Sequence, residues 1–368
     1  MFRSRIGRIV AFGCVAILSA AAVYTGCFAA EKNKSVWIDP DDATLPPDFK
    51  IQGEYVSTGS GEAPGAGKLG CQVIALGKGA FQAVVYPGGL PGAGWDGKNK
   101  VLLDGKLDGD RATFGPVKGK RKYLAQSAQE FSATSKFPPP GQKDYTATIP
   151  AGGEVMTGKT DDGKTFELKK TIRKSPTLGA KPPEGALVLF DGTGTGEWRG
   201  GRLDKKKFLN TDGSDILSKR KFNNYVMHVE FMLPFRPDAR GQGRGNSGFY
   251  QVDHYEVQVL DSFGLDGKDN ECGGIYTKAA PKVNLCYPPL TWQTYDVEFT
   301  NAVREGDKKV KNARITLKHN GVLVHDNVEI TGPTGGHRSD PEGTPGPIKL
   351  QGHGNPLQYR NVWIVEKR

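Results

Sequence analysis

The rhythm of the apolar segments is what most constrains this chain. From residue 49 to residue 365 they are short, they alternate apolar with polar side chains, and they stop at turns rich in Gly, Asn and Asp. Successive side chains of a strand face opposite ways, so each run can cover one face of a sheet. The 3.6-residue periodicity of a helix is nearly absent after the first thirty residues. The 50 Gly and 24 Pro follow no collagen-like period and therefore supply turns. The chain reads as all-β, and 368 residues make two domains the natural expectation.

The division falls in a Pro/Gly-rich stretch without apolar periodicity, read as a linker over 175–185. Before it, 35–174 alternates at 49–56, 71–76, 81–86, 101–107 and 145–149, with turn signals such as Asp104-Gly105 and Asp162-Gly163 between. This predicts a small antiparallel meander closed into a barrel or a sandwich. The segment has no His, and most of its carboxylates sit beside Gly, so turn chemistry accounts for them. Packing or attachment is its expected role. After the linker, 186–368 carries runs at 187–190, 225–233, 248–252, 255–260, 294–300, 313–318, 322–325, 348–351 and 362–365. So many short strands, with the Asn320-Gly321 hairpin signal, predict a double-sheet sandwich or jelly roll.

The net charge of +10 is spread almost evenly over the first thirty residues, 31–185 and 186–368. With no basic groove and no interleaved aromatics, a nucleic-acid partner is not expected. Residues 1–30 have the pattern of an export signal: Arg3, Arg5 and Arg8, then an apolar run from Ile9 to Tyr24, then small residues. The run is short for a membrane span. Two processing routes fit it. Thr25-Gly26-Cys27 resembles a lipoprotein box, which would leave a lipid anchor on Cys27, and Cys27-Phe28-Ala29 fits ordinary secretion. Both place the mature chain in the periplasm or cell envelope. Disulfides are permitted there, and Cys272 with Cys286 would close a 15-residue loop, so a bridge between them is expected and Cys71 is expected free. No metal-ligand spacing occurs; a structural calcium on loop oxygens is compatible, but no residue set calls for it. Oligomeric state is not legible.

The most informative stretch is 245–250 followed by 255–261. On a strand, Tyr255, Val257 and Val259 would point into a core, and Glu256 and Gln258 to the other face. Burying that second face without partners would be costly, which makes it the expected ligand-bearing face. One bulge after it would add Asp261 to the row. The spacing Glu256-x-Gln258-x-x-Asp261 is similar to the acidic strand of retaining family-16 glucanases, in which the outer carboxylates are nucleophile and acid/base. Here the middle carboxylate is an amide and the last is one carbon shorter, which argues against a two-carboxylate displacement.

Over 186–368 the chain order of Leu189-Phe190-Asp191-Gly192, Trp198, the 245–250 and 255–261 stretches, Gly274-Ile275-Tyr276, Trp292 to Tyr295, Asn320-Gly321, Leu350 to Pro356 and Arg360 to Ile364 resembles the 3-keto-disaccharide hydrolase family. The resemblance does not extend to 35–174. It implies a concanavalin A-like jelly roll acting on sugars oxidised at carbon 3. Such a ketone acidifies the carbon-2 hydrogen, so a base can remove it, the carbon-1 substituent can leave, and water can add back. That route needs a positioned base and donors to an enolate oxygen. Glu256 and His353, the latter between Gly352 and Gly354, are the expected proton-transfer pair, and which is the base is open. Asp261, Gln258 and Arg244 are expected to orient or polarise substrate. Asn246 could donate to it, Arg360 could pair with Glu256 or Asp261, and Tyr250, Tyr276, Trp292 and Trp198 could stack on sugar rings. The alternatives are a non-catalytic carbohydrate-binding module and a structural envelope protein.

Overall fold

A computed structural model describes residues 35–57 and 67–367; the leader, with Cys27, lies outside them. The architecture is all-β. Eight antiparallel strands close a barrel in the order Gly53–Ser57, Thr165–Thr171, Val155–Lys159, Thr146–Pro150, Arg111–Pro116, Val101–Asp108, Ala80–Pro87, Leu69–Gly77 and back to the first. The alternating stretch at 49–56 is not all strand. Pro46 and Pro47 start a helical turn, Pro47–Ile51, and the strand begins only at Gly53.

The second half contains two antiparallel sheets. One has eight strands, with Gln358–Glu366, Tyr225–Met232, Trp292–Thr300, Ala313–His319 and Val322–Ile330 as its long members. The other runs Trp198–Arg199, Ile216–Ser218, Lys349–Leu350, Ser247–Gln251 and Tyr255–Val259. The two share one core, in which Val257 and Val259 of the small sheet join Met227, Val229 and Phe231 of the large one.

The two halves also share that core. Every residue of Leu69–Gly77 is buried, which a barrel alone does not require. Its odd-numbered side chains Cys71, Val73 and Ala75 fill the barrel. Ile74 and Leu76 face the other way and join the core of the two sheets, followed by Val84, Tyr86 and Leu102 from the next strands. In return, Phe235 and Leu290 of the second half belong to the barrel's cluster. Removing these apolar side chains from water stabilises the contact between the two halves.

The Pro/Gly-rich 175–182 stretch is an ordered strap on the large sheet. Thr177 donates to Asp296 (2.7 Å), the Gly179 amide donates to Glu230 (2.5 Å), and Trp363 and Asn361 donate to the Ala180 carbonyl. Beneath it, His228 lies 2.6 Å from Asp296 and 3.4 Å from Glu230; these carboxylates outweigh burial and raise its pKa.

Candidate active site

Glu256 sits on Tyr255–Val259, paired with Ser247–Gln251 so that Tyr250 stands directly across from it. Its neighbours Tyr255 and Val257 point into the core, and the register therefore sends Glu256 and Gln258 to the other face. There they line an open cleft of about 240 Å³ with Gln242, Asn246, Tyr250, Tyr276, Gly335, Gly336, Gln351 and His353.

Within this open cleft the carboxyl itself is buried, with Glu256 only 3% exposed. Tyr250 Oη lies 2.9 Å from Glu256 Oε2 and 2.7 Å from the Gly335 carbonyl, and Gln351 Nε2 donates to it at 3.3 Å. A phenol has one proton, so Tyr250 donates to the carboxylate when Glu256 is ionised and can turn to Gly335 when Glu256 is protonated. Burial pushes the Glu256 pKa up to about 7, against the opposing pull of the Tyr250 hydrogen bond and the Lys349 charge. Lys349 was not legible as a site residue. Its ammonium lies 3.9 Å from the Tyr250 ring centroid, pairs with Asp253 (2.5 Å) and donates to the Gly336 carbonyl (2.5 Å).

Two glycines make this geometry possible. A Cβ at Gly248 would lie 2.4 Å from Glu256 Oε1, and one at Gly336 would lie 2.9 Å from Tyr250 Oη. His353 lies at the exposed rim, and its ring has no hydrogen-bond partner among the described residues. Tyr276 is half-buried in the cleft wall, its amide donating to the Glu256 carbonyl at 3.1 Å. Asn246 and Gln258 are in the wall as well, both donating to Gln242 Oε1, at 3.0 and 3.2 Å.

Five expected residues are elsewhere. Asp261 does not join the row: it takes Arg244 Nε at 2.6 Å, and both are buried where the barrel meets the sheets. Arg244 spends its other donors on the Ala75 carbonyl (2.9 Å) and Gln52 (3.4 Å), so it holds the barrel and is not free to polarise a substrate. Arg360 pairs with Glu230 at 2.7 Å, not with Glu256 or Asp261, and stacks 4.1 Å over Trp292 on the large sheet; neither lines the cleft. Trp198 is core, its indole donating to the Leu189 carbonyl. The expected Cys272–Cys286 bridge is absent. Both are free buried thiols that contact each other without a covalent bond; Cys272 Sγ also lies 3.2 Å from Tyr295 Oη and Cys286 Sγ 3.5 Å from the Leu260 carbonyl. Cys71 is free in the barrel core. Among the described residues no group of three or more His, Cys, Asp or Glu could hold a metal ion.

Gln242 carries no periodic signal because it lies outside any strand, and Lys349 and Gln351 belong to the 348–351 run, where two polar positions in a short strand do not show that they face a cleft. The one available hint was the glycine density around them.

No curated protein matches the chain. A Parabacteroides distasonis structure provisionally described as a glycosyl hydrolase is 30% identical, over 50% of this chain and 85% of its own, with a TM-score of 0.46. A second from the same organism, with the same provisional description, is 18% identical, over 50% and 95%, with a TM-score of 0.37. The family described as the 3-keto-alpha-glucoside-1,2-lyase-like domain matches residues 185–365, which span both sheets and every residue lining the cleft. Residues 185–365 of this chain are a member of that family.

Proposed function

We propose that the cleft cleaves glycosides carrying a ketone at carbon 3, by elimination across carbons 1 and 2, on a concanavalin A-like jelly roll. One observation carries the reading. A single carboxyl, shielded from water and with its pKa near 7, is held by a tyrosine in a cleft otherwise lined by amides, a histidine and a second tyrosine. A base acting on a hydrogen made acidic by a ketone needs its pKa near the working pH, and it needs no second carboxylate. The family description, which names 1,2-lyase chemistry on a 3-keto-glucoside, agrees with it.

Glu256 takes the carbon-2 proton, and the C–H electrons move onto the carbonyl to give an enolate. Gln351 supplies a donor in the cleft for that oxygen, and the Tyr250 hydroxyl, released as Glu256 becomes protonated, supplies a second. When the ketone reforms, the carbon-1–oxygen bond breaks, a carbon-1–carbon-2 double bond is left, and the departing alkoxide takes a proton from His353 at the rim. Addition of water, hydroxyl to carbon 1 and hydrogen to carbon 2, completes a net hydrolysis. The neutral lining suits an uncharged sugar.

The test is incubation of the mature protein with a 3-keto-glucoside and with its unoxidised parent, following aglycone release. Release from the keto compound alone is expected. Release from neither, with measurable binding of the parent, would make the cleft a carbohydrate-binding site without catalysis. The export signal further leads us to place the protein in the periplasm or envelope, where a lipid anchor on Cys27 would be its membrane contact.

A further inference from the structure

One wall of the cleft consists of three carboxamides whose polarity is set from outside the sheet. Gln242 Nε2 donates to the Asn270 carbonyl at 2.9 Å. A carboxamide has one donating end and one accepting end, so Gln242 Oε1 must face the other way. There it accepts from Asn246 Nδ2 and Gln258 Nε2. Gln258 Oε1 turns to the Val259 amide (3.0 Å), and Asn246 Oδ1 has no hydrogen-bond partner among the described residues. One backbone carbonyl thus decides which ends of three side chains point where.

Asn270 lies in the loop after Asp261, with no strand ladder to hold it. The loop is held by the barrel. Glu271, 2% exposed, accepts from the Gly267 amide (2.7 Å), the Lys268 amide (3.0 Å) and the Tyr123 hydroxyl. Lys268 Nζ sits 3.8 Å over the Tyr123 ring. Asp266 accepts from Lys100 Nζ (3.0 Å) and from both the amide and the hydroxyl of Ser135 (2.7 Å each). Lys100, Tyr123 and Ser135 all precede the family-matched segment. Tyr123 and Ser135 lie on an excursion between the barrel strands Arg111–Pro116 and Thr146–Pro150, an elaboration that closing the barrel does not need.

We infer that Tyr123 is a positioning residue for the cleft. Through Glu271 it fixes the Asn270 carbonyl; that carbonyl sets the orientation of Asn246 through Gln242, and of Gln258 both through Gln242 and by a direct, longer contact of 3.5 Å. The barrel is then a working part of the active site rather than an attachment module. This rests on the catalytic reading of the cleft given above.

A double-mutant cycle on the full-length chain tests it, with kcat/KM on a 3-keto-glucoside measured for wild type, Tyr123→Phe, Gln242→Ala and the pair. Phenylalanine keeps the ring under Lys268 and removes only the hydroxyl. Each single change is expected to lower kcat/KM roughly 10-fold, since small displacements of orienting groups have effects of this order. Because the shorter route from Tyr123 to the cleft runs through Gln242, the double variant should lose far less than the product of the two single losses. Ser135→Ala, which loosens the same loop through Asp266, should give a smaller loss that Gln242→Ala likewise absorbs. Unchanged turnover in Tyr123→Phe, or losses that multiply in the double variant as a general loss of stability would give, overturns the inference and leaves the catalytic reading intact. A wild-type protein inactive on the keto compound overturns both.

Discussion

Glu256 carries two opposing demands, since the environment that suits it to take a proton also penalises its charge. A carboxyl whose pKa rises from 4.5 in the unfolded chain to about 7 in the folded one binds protons more tightly when folded. Its contribution to stability is therefore complete below about pH 4.5 and is lost as pH climbs through about 7. Glu256→Gln should accordingly stabilise the protein by about 3 kcal/mol above pH 7, with the difference vanishing near pH 4.5. Denaturant melts of both proteins across that range check this, and a constant offset would show that Glu256 is not perturbed. Gly248→Ala should leave the fold intact and lower turnover by roughly 10-fold or more, because the added methyl occupies the carboxyl's place. Residues fixed by strand alternation were legible in the sequence: Glu256 and Gln258 on one face, Val257 and Val259 on the other. Asp261, Arg244, Arg360 and Trp292 were not, because their partners Ala75, Gln52 and Glu230 lie far away in sequence and no local pattern announces them.

Among the elements, Leu69–Gly77 shows most clearly what alternation can and cannot reveal. Its run of apolar and small residues correctly marks a strand, yet it hides the fact that the two faces serve two different cores. Ile74→Ala and Val73→Ala should both destabilise, the first by about 2–4 kcal/mol through the cavity it leaves between barrel and sheets. Chemical denaturation of Ile74→Ala measures that loss. If it fell within error of zero, the shared core would not be energetically important. The 49–56 stretch shows the opposite failure. Alternation there suggested strand, but the fixed φ of Pro47 starts a helical turn, and the apolar residues Phe49 and Ile51 pack from it onto the barrel.

Over the whole molecule, the two halves are joined by charge as well as by apolar surface. The buried Arg244–Asp261 pair, with Arg244 also donating into the barrel strand, ties the second half to the first. Arg244→Met leaves a buried carboxylate alone and should cost about 3–5 kcal/mol, whereas replacing both partners with apolar residues should cost less. Thermal melts of the single and double variants would reveal this order. Two stretches of β pattern on either side of the Pro/Gly-rich segment were legible, yet the described residues pack as one compact unit. Their interdependence was not legible, because a linker's composition says nothing about what packs across it.

Removal of the carbon-2 proton by Glu256 is the step on which the proposed reaction depends. The most direct measurement is proton NMR of a 3-keto-glycoside in D₂O with wild-type protein and with Glu256→Gln. Loss of the carbon-2 proton signal, at a rate at least equal to aglycone release and abolished in Glu256→Gln, is the predicted result. Aglycone release with the carbon-2 proton fully retained, or exchange undiminished in Glu256→Gln, would contradict it.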